Sequence, residues 1–125
     1  MPKIKITSGE ISMEAEINQS PTAQSLSNCL PVEGKANKWG DEIYFEIPVM
    51  MEQEPDAREI LEVGELGYWP VGRAFCIFFG PTPVSTDERP RAYSPVNILG
   101  CLLGDPLLFK SVKDGEQVRI ELLDT

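Results

Sequence analysis

Two glutamates on one predicted strand are the residues whose type and placement come closest to a catalytic pair. The segment from Glu42 to Ile47 alternates polar and apolar residues, so Glu42, Tyr44 and Glu46 share one face of a strand. Two carboxyl groups on one face can divide the roles of general acid and general base. Glutamates in this pattern more often form a solvated outer face, and that is the interpretation we prefer.

A group of aromatic and polar residues is the best candidate for a binding surface. Tyrosine and tryptophan combine an apolar body with a polar tip, which suits the recognition of a ligand. The alternative is that Trp69 and one of the tyrosines fill the core or its rim. The predicted ligand-binding residues are Trp39, Glu42, Tyr44, Tyr68, Trp69 and Asn97.

The chain contains no histidine, which excludes Ser-His-Asp and Cys-His arrangements, and we predict no catalytic residue. We also predict no metal site and no cofactor. The cysteines are scattered, the acidic segment after Pro48 lacks the EF-hand pattern, and no glycine-rich loop precedes a helix. Cys76 and Cys101 lie beside apolar residues and are predicted to be buried.

The acidic composition limits the classes of partner. The formal net charge is -9 and the sequence pI is about 4.4. Because affinity for phosphate backbones and anionic lipid comes mainly from lysine and arginine, nucleic acid and membrane surfaces are not expected partners. No apolar stretch resembles a signal peptide or a membrane span, so a cytoplasmic location is expected.

Periodicity and turn residues predict a protein made mainly of β-strands. Residues 3–7 and 11–17 alternate around a turn at Gly9, and Ser20 begins a short helix that Pro31 ends. Later strands are predicted over 42–47, 65–69, 74–79, 96–103 and 118–122, and residues 74–79 form a continuously apolar run. Asp105 begins a second short helix with Leu107, Leu108 and Val112 on its apolar side. We expect one domain, residues 1–125, folded as a closed β-barrel of about seven or eight strands with two short helices.

Three motifs in order resemble a known family. They are the segments 39–45 (Trp-Gly-Asp-Glu-Ile-Tyr-Phe), 63–70 (Val-Gly-Glu-Leu-Gly-Tyr-Trp-Pro) and 74–83 (Ala-Phe-Cys-Ile-Phe-Phe-Gly-Pro-Thr-Pro). In this order they resemble the bacterial and archaeal cyclophilin-like domain family of unknown function. The resemblance covers nearly the whole chain and implies a compact cyclophilin-like barrel.

The same resemblance argues against the activity of true cyclophilins, which are peptidyl-prolyl isomerases. Their catalytic arginine would fall on the strand matched here by residues 41–47, which contains no arginine or lysine. Ionised carboxylates such as Glu42 and Glu46 cannot donate a hydrogen bond to the proline nitrogen. We therefore expect a non-catalytic domain that binds a small molecule or a peptide around Tyr44, Tyr68 and Trp69. One alternative is a weak or divergent isomerase that uses Arg73 or backbone donors, and another is a structural subunit that forms oligomers. The sequence leaves the oligomeric state open.

Overall fold

The computed structural model describes residues 2–123, which form ten strands, one α-helix and one 3₁₀ helix. The helices are α1 (Pro21–Cys29) and the 3₁₀ helix (Pro106–Ser111). The strands are β1 (Lys3–Ser8), β2 (Ile11–Ile17), β3 (Val32–Lys35), β4 (Asn37–Lys38), β5 (Glu42–Glu46), β6 (Arg58–Ile60), β7 (Glu65–Trp69), β8 (Ala74–Phe78), β9 (Arg91–Leu102) and β10 (Gln117–Leu122).

The sheet is open, so the predicted closed barrel of seven or eight strands is wrong in both closure and strand number. Nine strands follow the order β3-β10-β1-β2-β9-β7-β8-β5-β4, and β6 pairs with β9 off this path. The two end strands, β3 and β4, follow each other in the chain with only Ala36 between them. Because one residue separates the two edges, the sheet must curl strongly even though no ladder joins β3 to β4.

The hairpin and the first helix are confirmed. Strands β1 and β2 pair antiparallel from Lys3 opposite Glu16 to Ser8 opposite Ile11. Gly9 has a φ of 58°, which the tight turn between them requires. Helix α1 begins after Ser20, whose side chain accepts a hydrogen bond from the backbone N–H of Ala23.

Strand β8 is buried on both faces, as its apolar run predicts, because two hydrophobic clusters lie on opposite sides of the sheet. Phe75 and Ile77 belong to the main core enclosed by the curled sheet. On the other side, which we call the outer face, lies a smaller cluster formed by Leu61, Ala74, Cys76, Phe78, Ala92 and Val96. The outer face of this part of the sheet is therefore covered rather than solvated.

Two side-chain predictions in the second half of the chain are wrong. The 3₁₀ helix buries Phe109 against Phe79, with ring centroids 6.3 Å apart, and Val112 is buried as predicted, but Leu107 and Leu108 are exposed. The prediction assumed α-helical spacing, whereas three residues per turn place different side chains on one face. Cys101 is exposed, although Cys76 is buried as predicted.

Neither helix within residues 2–123 has both the length and the apolar character that a membrane span requires.

Candidate functional site

A cavity of about 220 Å³ opens on the outer face of β5, β7, β8 and β9. It brings together four of the six predicted ligand-binding residues. We call it the aromatic pocket, and its lining residues are Trp39, Glu42, Tyr44, Trp69, Ala92, Tyr93 and Val96.

A glycine in β7 makes room for the floor of the pocket. Gly67 pairs with Cys76 of β8 on one side and with Ile98 of β9 on the other. A Cβ at Gly67 would lie 2.8 Å from Cγ2 of Val96 and 3.4 Å from Cε2 of Phe78. Because 2.8 Å is too short for a contact between carbon atoms, a larger residue at position 67 would displace Val96, and glycine lets Val96 lie over β7 and close the floor.

A tight turn places Trp39 next to Glu42. The backbone N–H of Trp39 donates to the carbonyl of Glu42 at 2.9 Å, and the N–H of Glu42 donates to the carbonyl of Trp39 at 3.2 Å. Gly40 lies inside this turn with a φ of 61°, in the left-handed region that glycine adopts without strain. The turn therefore fixes one wall and the carboxyl group of the pocket together.

Four aromatic rings form the walls of the aromatic pocket, each nearly perpendicular to the next. The ring centroids of Tyr44 and Trp69 are 6.4 Å apart at 76°, and those of Trp69 and Tyr93 are 6.1 Å apart at 79°. Tyr93 and Trp39 follow at 6.2 Å and 70°. These edge-to-face contacts are the favourable geometry for aromatic pairs, so the rings support one another without filling the space between them.

Trp69 is held in place from two sides. Its Nε1–H donates a hydrogen bond to Oγ of Ser94 at 2.6 Å. Its ring lies against Gly72 of the following turn, where a Cβ would come within 2.6 Å of the indole. Trp69 is therefore a rigid wall of the pocket, and a bound ligand does not have to restrict the motion of this side chain.

The carboxyl group of Glu42 is buried at the base of the pocket. The residue is only 5% exposed, and its Oε1 is buried without a hydrogen-bond partner among the described residues. Burial raises the pKa of this carboxyl to about 7, and the neighbouring Cys76 thiol opposes that rise by a smaller amount. The interpretation of Glu42 as part of a solvated face is wrong, because Ala92, Tyr93 and Val96 of β9 lie over this face.

The chemistry available in the pocket is that of one titratable carboxyl group within aromatic walls. Burial raises the pKa of the Cys76 thiol well above its usual range, so this thiol stays protonated. Glu46 is exposed at the far end of β5 and does not line the pocket, so the pair of glutamates is not assembled. Within residues 2–123, no three His, Cys, Asp or Glu side chains come together to hold a metal ion.

Tyr68 and Asn97 lie on the opposite face of the sheet from the aromatic pocket. Both are fully buried, and they face each other across β7 and β9. Tyr68 donates its hydroxyl to the carbonyl of Val49, and Asn97 accepts from the N–H of Glu54 at 2.8 Å. These contacts hold the loop after β5 against the sheet, so the structure gives both side chains a positioning role for that loop.

Three residues of the pocket were missed in the sequence, namely Ala92, Tyr93 and Val96. They lie on β9, which begins at Arg91, so Ala92 and Tyr93 precede the strand predicted over 96–103. Pro95 is tolerated because the β6–β9 register shifts between Arg91 and Val96, so no regular ladder is interrupted there. The sequence offered one signal here, an aromatic residue at position 93, and that signal could be used only once Tyr93 was assigned to a strand.

Comparisons with known proteins agree with this architecture. The cyclophilin-like family model matches residues 2–121. The solution structure of a hypothetical protein from Archaeoglobus fulgidus is 36% identical, with a TM-score of 0.82 over 98% of this chain and 95% of that one. None of the curated proteins matches the chain.

A more distant likeness concerns the fold alone. The structure of McbB in complex with tryptophan is 15% identical, with a TM-score of 0.62 over 94% of this chain and 44% of McbB. The family model, by contrast, matches almost the entire sequence, and the Archaeoglobus fulgidus protein is more than one third identical to this chain. This chain belongs to the cyclophilin-like family.

Proposed function

We propose that this protein is a non-catalytic binding domain and that the aromatic pocket holds a small molecule. The observation that supports this most is an open cavity of about 220 Å³ whose walls are four aromatic rings already in contact with one another. Ligand sites are typically concave and apolar, with a few placed polar groups. Because this cavity is smaller than the roughly 300–1,000 Å³ of sites for drug-sized ligands, we favour a compact ligand over a peptide.

The two tryptophans of the chain provide a direct measurement. Trp39 and Trp69 both line the pocket, and the sequence contains no other tryptophan. Intrinsic tryptophan fluorescence therefore reports on this site alone. We expect a neutral aromatic probe, 2-phenylethanol, to change this fluorescence in a saturable manner. The absence of a saturable change up to the solubility limit of the probe would contradict binding in the pocket.

Replacing Tyr93 with alanine should weaken the binding of 2-phenylethanol by about fivefold, because an aromatic wall contributes roughly 1 kcal/mol. Tyr93 is 73% exposed, so its removal should change the free energy of unfolding little. The matched control is Met50→Ala, since Met50 is 74% exposed and does not line the pocket. Equal affinities in all three proteins would show that the probe binds elsewhere.

One observation favours the alternative of a divergent isomerase. A carboxyl with a pKa of about 7 is partly protonated at neutral pH, and the protonated form can donate a hydrogen bond. Arg73, by contrast, lies exposed beside Met50 and Met51, outside the aromatic pocket. A neutral acid lacks the positive charge of an arginine, and we therefore keep the binding domain as the leading proposal.

We expect no acceleration of cis/trans isomerisation in a proline-containing peptide, with either the unmodified protein or Arg73→Ala. The assay compares about pH 5.5 with about pH 8.5, on either side of the Glu42 transition. Acceleration only at the lower pH would identify Glu42 as a donor and contradict the proposal. Acceleration that disappears in Arg73→Ala would instead identify that arginine.

The third alternative, an oligomerising subunit, is favoured by three exposed leucines at and before the 3₁₀ helix, Leu103, Leu107 and Leu108. Sedimentation over a range of concentrations tests it. A cytoplasmic location and the exclusion of nucleic acid and membrane surfaces as partners stay predictions from composition.

A further inference from the structure

The buried carboxyl of Glu42 lacks a hydrogen-bond donor, which a ligand could provide. Its Oε1 accepts no hydrogen bond from the described residues, although more than nine-tenths of the residue is removed from solvent. Buried polar oxygens are almost always paired, and an exception calls for an explanation. Because Glu42 lines the aromatic pocket, the missing donor can come from a bound molecule.

The aromatic walls add a preference for positive charge. The faces of tryptophan and tyrosine rings are electron-rich and attract cations, with tryptophan the stronger of the two. Four such rings surround the same space into which Glu42 faces. A carboxyl group and aromatic faces around one cavity both favour a ligand with a charged N–H donor.

The basic side chains next to the pocket in the sequence are engaged elsewhere. Nζ of Lys38 donates to the carbonyl of Lys110 at 3.2 Å, and Arg91 forms an ion pair with Glu59 at 3.6 Å. Neither side chain lines the cavity. The charge of an ionised Glu42 is therefore left for a ligand to compensate.

From these three observations we infer that the ligand of the aromatic pocket is a small organic ammonium ion, whose N–H donates to Oε1 of Glu42 and whose apolar part lies between the rings. This inference rests on the proposed function, since it requires that the pocket bind a small molecule. An N–H donor distinguishes this class from quaternary ammonium compounds, which can satisfy the rings but not the carboxyl oxygen.

The inference has a pH dependence that a purely apolar site would not show. The titratable groups around Glu42 are Cys76 on β8, Tyr44 on β5 and Tyr93 on β9. Asp41, in the turn before Glu42, forms an ion pair with Lys110. An alkylammonium ion remains charged well above neutral pH. The ion pair with the ligand therefore forms as Glu42 loses its proton.

Phenethylamine and 2-phenylethanol are suitable probes, because they share a phenylethyl group and differ only in its substituent. That substituent is an ammonium group in phenethylamine and a hydroxyl in 2-phenylethanol. At about pH 8.5 we expect phenethylamine to bind about tenfold more tightly than 2-phenylethanol, as charge-assisted hydrogen bonds are the stronger kind. The affinity ratio should fall at about pH 5.5, where Glu42 is protonated. In Glu42→Gln the ratio at about pH 8.5 should be lower than in the unmodified protein and should not vary with pH, because only the attraction of the rings for the ammonium group remains.

The outcomes separate this inference from the proposed function. If 2-phenylethanol binds but phenethylamine binds no more tightly at the higher pH, the ammonium inference is overturned and the binding domain stands. If neither probe binds, both are overturned. A high ratio that persists in Glu42→Gln would show that Glu42 is not the partner of the ammonium group. Should that variant fail to fold, the pH dependence of the ratio in the unmodified protein decides the matter.

Discussion

Replacing Glu42 with glutamine should remove a loss of stability that the unmodified protein undergoes as the pH rises. Between about pH 4.5 and pH 7, the free energy of unfolding of Glu42→Gln should increase by about 3 kcal/mol relative to that of the unmodified protein. Burial raises the pKa of this carboxyl from 4.5 to about 7 in the folded protein. In that interval the folded state binds more protons than the unfolded state, so the stability contributed by Glu42 is present below pH 4.5 and is lost as the pH rises to 7. Glutamine does not titrate and therefore does not incur this loss.

The measurement is urea unfolding of both proteins at about pH 4.5 and about pH 8.5, on the two sides of this interval. Glutamine can change stability by a constant amount through its amide, so the quantity of interest is how the difference between the proteins varies with pH. Glu46→Gln is the matched control, because it removes the same charge from an exposed position of the same strand. A Glu42→Gln difference of equal size at both pH values would mean that burial does not hold this carboxyl protonated.

Elements with strong local signals could be predicted from the sequence. The β1–β2 hairpin has strict alternation around Gly9, and α1 has a capping serine followed by proline. The apolar run of β8 indicated burial on both faces, which the two clusters confirm. In each case the signal comes from neighbouring residues, so it needs no knowledge of the rest of the fold.

The strands that were missed are short and have no periodicity of their own. Strand β4 has two residues and β6 has three, and β3 is a largely polar segment of four. Their conformation comes from pairing with other strands: β4 pairs with β5 across a short turn, whereas β6 and β3 pair with β9 and β10, which are distant in the sequence. Because β3 and β4 form the edges of the sheet, whether the sheet closes could not be determined from local pattern.

The site was predicted only in part because adjacent strand residues face opposite sides of a sheet. Tyr68 and Trp69 are neighbours in β7, so they could not both face one pocket, and the alternation of a strand was sufficient to show this. Asn97 and Val96 are separated in the same way on β9. The burial of Glu42, however, depends on the first half of β9 covering the outer face, which is a long-range contact that alternation does not reveal.

Replacing Asn97 with alanine should lower the free energy of unfolding by about 3 kcal/mol, since three hydrogen bonds of roughly 1 kcal/mol each are lost. Its Oδ1 accepts from the N–H of Glu54 at 2.8 Å, and its Nδ2 donates to Oγ1 of Thr22 at 3.0 Å and to the carbonyl of Glu52 at 2.9 Å. Urea unfolding measures the loss. Faster amide exchange at Glu54 should accompany it, because that N–H loses its acceptor.

The same variant decides whether Asn97 positions the loop or binds a ligand. Its side chain lies on the opposite face from the aromatic pocket, so the affinity for 2-phenylethanol should not change in Asn97→Ala. Asn37→Ala is the control, because Asn37 is exposed and donates to the carbonyl of Tyr44 at 3.2 Å. Its stability should change by no more than about 0.5 kcal/mol. If Asn97→Ala instead lost probe binding while its stability stayed unchanged, Asn97 would be a ligand-binding residue. The pocket would then have to extend through β9 to the other face of the sheet.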